Sequence, residues 1–306
     1  SAADSAGLRP IDNSDPPKSS DGMGTSESTN HVVIGNPSPT PILDPACNPN
    51  LPDIDTSGPQ RIVRVGPKRS IKTSTEASAI AKSGDLILIE AGTYKCDITK
   101  WSASHLTIKG ICGRPHLDAQ GCGIANGKGI WNPTSGVVDF AVDNIEFSGA
   151  SVADHNGAGI RYDGTGVVTI RNSFFHHNEN GILFTPAAGV SGATHVTDLS
   201  IFDTEFGYNG YGDGYTHNMY ISGSTRTFTL QGSYTHHANI GHTVKSRAWN
   251  NFILYNLIAD ETDGNSSYNI DLPQGGNAYI IGNIIQQGVN SPNYGMVTFS
   301  VEGTHN

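Results

Sequence analysis

The sequence predicts an all-β chain wound as a solenoid, a parallel β-helix with a short N-terminal capping helix behind a disordered or extended tail. Three observations carry that expectation. With 37 glycines, 15% charged residues and abundant Asn, Ser and Thr among 306 residues, the composition favours turns and short strands over helices. One pattern (apolar, any, apolar, two variable positions, apolar) then recurs as LTIKG, NIEFSG, VTIRNSFF, LSIFDTEF, FTLQGSY, FILYNLI and YIIGNII. Taking Asn172, Thr204, Ser233, Asn256 and Asn283 as equivalent gives offsets of 32, 29, 23 and 27 residues. Such a spacing of short β runs with Asn and Gly turns marks a β-helix rather than helical repeats. A β-sandwich also has short strands, but it has no reason to repeat one registered pattern.

Along the chain, residues 1–58 are dominated by Ser, Pro, Asp, Gly and Asn and read as a tail or linker too polar to offset its ordering entropy. Residues 59–306 form the solenoid domain. RIVRVGP is its first strand, SIKTSTEASAIAKSGD an amphipathic helix ended by Gly84, and LILIEAGTY a strand followed by a glycine turn. The final MVTFSVEGTHN reads as the opening of another coil without a cap, so the expectation there is self-association or a missing segment. The 4 cysteines, Cys47, Cys96, Cys112 and Cys122, lack zinc-site spacing and suit two disulfides, with Cys112 to Cys122 the short loop.

A net charge of -10 with no basic window excludes nucleic acid as the expected partner. No apolar run approaches the roughly 20 residues that span a bilayer, so no membrane partner is expected.

If coils stack, a second strand per coil must stack too. GIRYDG, GILFTP, NMYISG, GHTVKS and SYNIDL serve, with Tyr162, Phe184, Ile221, Val244 and Ile270 at one inward position. Side chains alternate faces along a strand, so Asp163, Thr185, Ser222, Lys245 and Asp271 form one outward column. Arg161, Leu183, Tyr220, Thr243 and Asn269 form the parallel one. The preceding turns HHNEN, YNGYGDGYTHN and HHAN bring histidines from three coils to one edge. That crowding points to a substrate groove along the stack.

The helix, SGDLILIEAGTY and the coils ending in N-x-I resemble the right-handed parallel β-helix proteins of the pectate lyase-like superfamily, over roughly residues 61–306. Most such proteins act on acidic polysaccharides, which implies the same partner here. Those polymers are cut by β-elimination, in which a base takes the proton beside the uronate carboxylate, a cation neutralises that carboxylate and an acid assists the leaving oxygen. Lys245 is the candidate base and Arg247 the carboxylate neutraliser. His217 and His242 are candidates for leaving-group acid or additional donors, and Tyr215 or Tyr220 could replace either. Asn218, His237, Asn239, Asn269, Asp271 and Gln274 complete the expected substrate contacts.

The stretch VKSRAWNNFILYNLI further resembles the lysine-containing coil of the chondroitinase B and alginate lyase family. That resemblance implies Lys245 as base, an arginine on the next coil and calcium as cofactor. The next coil, SSYNIDLPQGGN, offers Asp271 or Gln274 in place of that arginine, and His242 stands where an acidic metal ligand belongs, so calcium has no matching ligands. The expectation is therefore a secreted or periplasmic polysaccharide lyase with no metal ligands assigned. A glycoside hydrolase, a uronan epimerase and a noncatalytic carbohydrate-binding or structural solenoid are the alternatives.

Overall fold

The structure, a computed structural model, describes residues 45–187 and 196–304. The expected tail lies outside the described residues up to position 44. From Pro45 onward the same segment is built onto the solenoid: Pro45–Cys47 forms a 3-10 turn and Ile54–Asp55 pairs antiparallel with Ile62–Val65.

That pair opens the first of three sheets, which has 10 strands against 8 in each of the others; apart from that antiparallel pair the described strands pair in parallel, and a full coil contributes one strand to each sheet. The first sheet runs through Leu106–Ile111, Thr165–Arg171, Thr225–Gln231 and their neighbours. The second is built from three-residue strands such as His116–Asp118, Glu146–Ser148, Phe174–His176 and Tyr234–His236. In the third, Gly129–Pro133, Ala158–Tyr162, Asn180–Phe184, Met219–Ile221, Val244–Ser246 and Ile270–Leu272 lie side by side. The chain is a parallel β-helix.

Alternation along each strand builds the core as columns of like residues. Ile87, Ile108, Val142, Ile170, Ile201, Leu230 and Ile253 stack inside the first sheet and are buried. Phe147, Phe175 and Phe206 stack face to face inside the second, at centroid spacings of 4.8 and 4.9 Å, close to the natural spacing of strands of about 4.8 Å. Each coil thus buries its apolar edge only against its neighbours.

The corner between first and second sheets carries a second ladder, made of polar side chains. Thr204, Ser233, Asn256 and Asn283 each accept a hydrogen bond from the backbone N–H of the equivalent residue one coil earlier, at 3.4, 3.2, 2.9 and 2.9 Å. The first of those donors is Ser173, so Ser173 and not Asn172 is the equivalent of Thr204. Asn172 instead occupies the left-handed corner position (φ 48), shared with Asp203 and Tyr255. Asn suits either position, which is why the repeat misplaced it by one.

The capping helix is shorter than its pattern, Ser74–Ile80, with Thr73 as N-cap accepting from Glu76 N–H. Asp97 accepts from the Ser74 and Thr75 amides and so satisfies two further free donors of the first turn. The disulfides are Cys47–Cys112 and Cys96–Cys122, which corrects the expected short loop. Cys96 and Cys122 follow the adjacent strands Thr93–Lys95 and His116–Asp118, so coil stacking brings them together across a sequence separation of 26. No described helix is long and apolar enough to cross a membrane.

Candidate active site

On the third sheet the observed register differs from the expected one at a single step. Tyr162 pairs with Phe184 and Phe184 with Ile221 as anticipated, but Ile221 pairs with Ser246 and Tyr220 with Lys245. Lys245 therefore faces Tyr220 rather than Ser222, while still pairing with Asp271 on the following strand. A slip of two residues leaves every side chain on its original face, so alternation alone does not detect it. One outward column results: Lys100, Asn132, Arg161, Leu183, Tyr220, Lys245, Asp271 and Thr298.

Seven of the sequence-expected residues converge on this column. Lys245 Nζ lies 3.6 Å from Asp271 Oδ2, and its side chain is 14% exposed. His242 Nε2 approaches the same carboxylate oxygen at 3.3 Å. Arg247 donates from Nη1 to the Tyr220 hydroxyl at 3.0 Å and forms an ion pair with Glu302. The His217 ring stacks on His242 at 4.7 Å and lies nearly parallel to Tyr220 at 6.1 Å. Gln274, through its side-chain oxygen, and Arg247 both flank Gly223.

The backbone fixes the tautomer of both imidazoles. His217 Nδ1 accepts the His242 N–H at 3.0 Å, and His242 Nδ1 accepts the Tyr268 N–H at 3.3 Å. A nitrogen that accepts carries no proton, so in the neutral rings the proton sits on Nε2. Burial, reinforced by His242, Lys245 and Arg247, holds His217 well below the ordinary histidine value. His242 is lowered to about 4 by burial, with Asp271 opposing and Lys245 and Arg247 assisting. Near neutral pH both are uncharged donors through Nε2. They supply hydrogen bonds but no readily released proton.

Other expected residues stand elsewhere. Asn218 and Asn269 are buried, not open to substrate. Asn218 accepts from Asn209 and donates to the carbonyl of His236 at 2.7 Å, while Asn269 donates to the carbonyl of Gln286 at 3.3 Å. Their polarity serves the interior of turns, where backbone groups need partners. His237 and Asn239 line a different hollow of about 320 Å³ with Tyr208 and Asp263. Tyr215, 83% exposed, lies on the intervening loop. The histidines therefore divide between two edges of the turn and do not share one.

Sequence reasoning missed three contributors. Tyr268 packs on His242 at 5.2 Å besides donating to it. Thr298 donates to Asp271 Oδ1 at 2.6 Å, and Glu302 holds Arg247. Only the coil register, which pairs Asp271 with Thr298, could have pointed to the second of these.

Calcium does not fit here. Such an ion takes six to eight oxygen ligands, whereas Asp271 is already engaged by Thr298, His242 and Lys245, and Glu302 by Arg247.

No family model and no curated protein matches the chain. Among solved structures, a mutant of the PL6 family alginate lyase AlyGC is similar over 83% of this chain and 40% of that one, with a TM-score of 0.44 and 14% identity. The chain therefore spans about 40% of the length of that structure.

Proposed function

We propose that this protein is a polysaccharide lyase that cleaves a uronate-containing polymer by β-elimination at the Lys245 face of the third sheet. The observation that carries the reading is the pairing of Lys245 with Tyr220 on adjacent strands, with Arg247 bound to the tyrosine hydroxyl. Neighbouring strands lie about 4.8 Å apart, a span that a single sugar linkage bridges.

Each residue then has a role set by its partners. Lys245, in its neutral form, takes the proton from the carbon beside the carboxylate. The electrons of that C–H bond form the new double bond as the glycosidic C–O bond breaks. The Tyr220 hydroxyl accepts from Arg247, which leaves its own hydrogen free to donate to the departing oxygen. Arg247 neutralises the substrate carboxylate, and the Nε2–H of His217 adds a donor for it, while that of His242 is directed at Asp271. Exposed Lys100 and partly exposed Arg161 continue the same column and offer further contacts to an acidic polymer, despite the chain's net charge of -10. Two disulfides suit an oxidising compartment, and we place the enzyme outside the cytosol, secreted or periplasmic.

The alternatives demand other geometry or other products. A hydrolase needs a carboxylic acid and a carboxylate open to the substrate, and both carboxylates of this cluster are already engaged, Asp271 by Thr298 and His242 and Glu302 by Arg247. An epimerase would return the proton to the opposite face and release no unsaturated end. The test is incubation with a panel of uronate polymers while following absorbance of the unsaturated product. Absorbance that is lost in Lys245→Ala supports the reading. New reducing ends without absorbance, altered stereochemistry without cleavage, or binding alone would each replace it with the corresponding alternative.

A further inference from the structure

A second cluster of chemically active side chains lies on the second sheet, outside the Lys245 column. His116 and Glu146 occupy the first position of adjacent strands, and His176 the third position of the strand after that. All three side chains point outward, since positions two apart share a face. His176 Nε2 lies 3.0 Å and His116 Nε2 3.5 Å from Glu146 Oε1, and the three ligand atoms fall within 4.8 Å of one another. Their side chains are between 16% and 26% exposed, and both histidines line a cavity of about 730 Å³.

We propose that His116, Glu146 and His176 form a binding site for a first-row divalent metal ion, zinc foremost, with an open coordination position facing this cavity. Two imidazole nitrogens and one carboxylate oxygen are the donor set of such ions, whereas calcium and magnesium call for oxygen ligands throughout. The surroundings favour ligation as well. His176 Nδ1 stands 2.8 Å from His177 Nδ1. Once a metal takes Nε2, the His176 proton resides on Nδ1 and is donated to that neighbour, the second hydrogen bond that orients metal-binding histidines. Ser148 Oγ, now 2.7 Å from His116 Nε2, must release that nitrogen.

The solenoid supplies its own comparison. Two coils further on, Glu205, His236 and His237 repeat the arrangement of Glu146, His176 and His177, with His236 Nε2 at 3.4 Å from Glu205 Oε1 and the two Nδ1 atoms 2.7 Å apart. The position equivalent to His116 is Phe174 there, paired with Glu205 as His116 is with Glu146. The second copy therefore lacks its third ligand, and the proposal requires one tight site per chain, not two. It does not depend on the lyase reading.

The experiment is titration of tag-free, chelator-treated full-length protein with zinc by calorimetry, with cobalt followed by its visible absorption and with calcium as control. The expected result is one equivalent of zinc, a cobalt spectrum of low coordination number and no heat with calcium. His116→Gln, Glu146→Gln and His176→Gln should each weaken zinc by about 100-fold or more, beyond the 10- to 100-fold typical of an outer-shell partner. Lys245→Ala should bind as the wild type does. If a variant fails to fold, zinc-dependent elevation of the wild-type melting temperature and the cobalt spectrum still decide. Absence of binding to the wild type, two equal equivalents, or full affinity in His116→Gln and His176→Gln would overturn the site.

Discussion

The Lys245 face of the third sheet and the His116 cluster of the second both assemble imidazoles from successive coils, yet their chemistry differs because the backbone has claimed different nitrogens. At the Lys245 face, Nδ1 of His217 and of His242 each accept a main-chain N–H, so both rings present Nε2–H as donors. In the His116 cluster, Nδ1 of His176 faces another imidazole, and the Nε2 atoms of His116 and His176 converge on a carboxylate. Residue type alone does not distinguish a hydrogen-bond donor from a metal ligand. What surrounds the second nitrogen does.

The sharpest way to break that comparison is to remove the lysine. Lys245→Ala should lower lyase turnover by about a thousandfold, within the 10²- to 10⁴-fold range of positioned acid–base groups, while leaving zinc affinity untouched. Retained product absorbance in this variant would detach the chemistry from the third sheet. A smaller effect is expected for Tyr220→Phe, which removes the proton donor but keeps the ring beside His217 and Arg247. Turnover should fall about 100-fold, with KM nearly unchanged. A rise in KM alone would make Tyr220 a binding residue.

The same comparison shows how much of the molecule was written legibly in the chain. The columns of Ile, Val and Phe were readable because a solenoid repeats its inward residues at the strand period. The local register was not. Pairing Ile221 with Ser246 instead of Val244 keeps inward residues inward, so Tyr220 came to Lys245 by a shift that the pattern does not encode. Of the expected site, Lys245 with Asp271, Arg247, His217 and His242 was legible from outward alternation and the HHANIGHTVKSR stretch. Asn218 and Asn269 were misread because Asn is equally suited to a sugar and to an unpaired backbone group inside a turn. The His116, Glu146 and His176 set escaped because its members are about 30 residues apart and come from two different strand positions.

Asn218 also offers a stability test that separates interior polarity from surface polarity. Its amide links Asn209, Phe206, Thr235 and His236, all within the core of the turn. Asn218→Ala removes these hydrogen bonds from buried groups and should cost about 2 kcal/mol of unfolding free energy, in the range for a buried hydrogen bond lost on one side. Tyr215→Ala, on the exposed loop, should change stability by less than about 0.5 kcal/mol. Equal effects in urea unfolding would mean that the ladder is not what holds the turn.

The most gradual expected effect, spread over a range of pH, comes from the neutral histidines themselves. His242 titrates at about 4 in the folded protein against an ordinary value of 6.5, so between those values the unfolded chain binds more protons than the folded one. Stability then rises with pH through this window. The contribution is complete above about 6.5, declines by at most about 1.4 kcal/mol per unit as pH falls, and is exhausted below about 4. His217, lowered in the same direction by burial, adds a slope of the same sign. Urea unfolding of the wild type and His242→Gln at intervals from pH 7.5 to 4.5 measures it. The wild type should lose stability more steeply than the variant below pH 6.5, and the curves should run parallel above. Parallel curves throughout would mean that His242 carries a charge in the folded state. The Lys245 face would then be a cationic cluster like any other and lose its contrast with the metal-binding histidines.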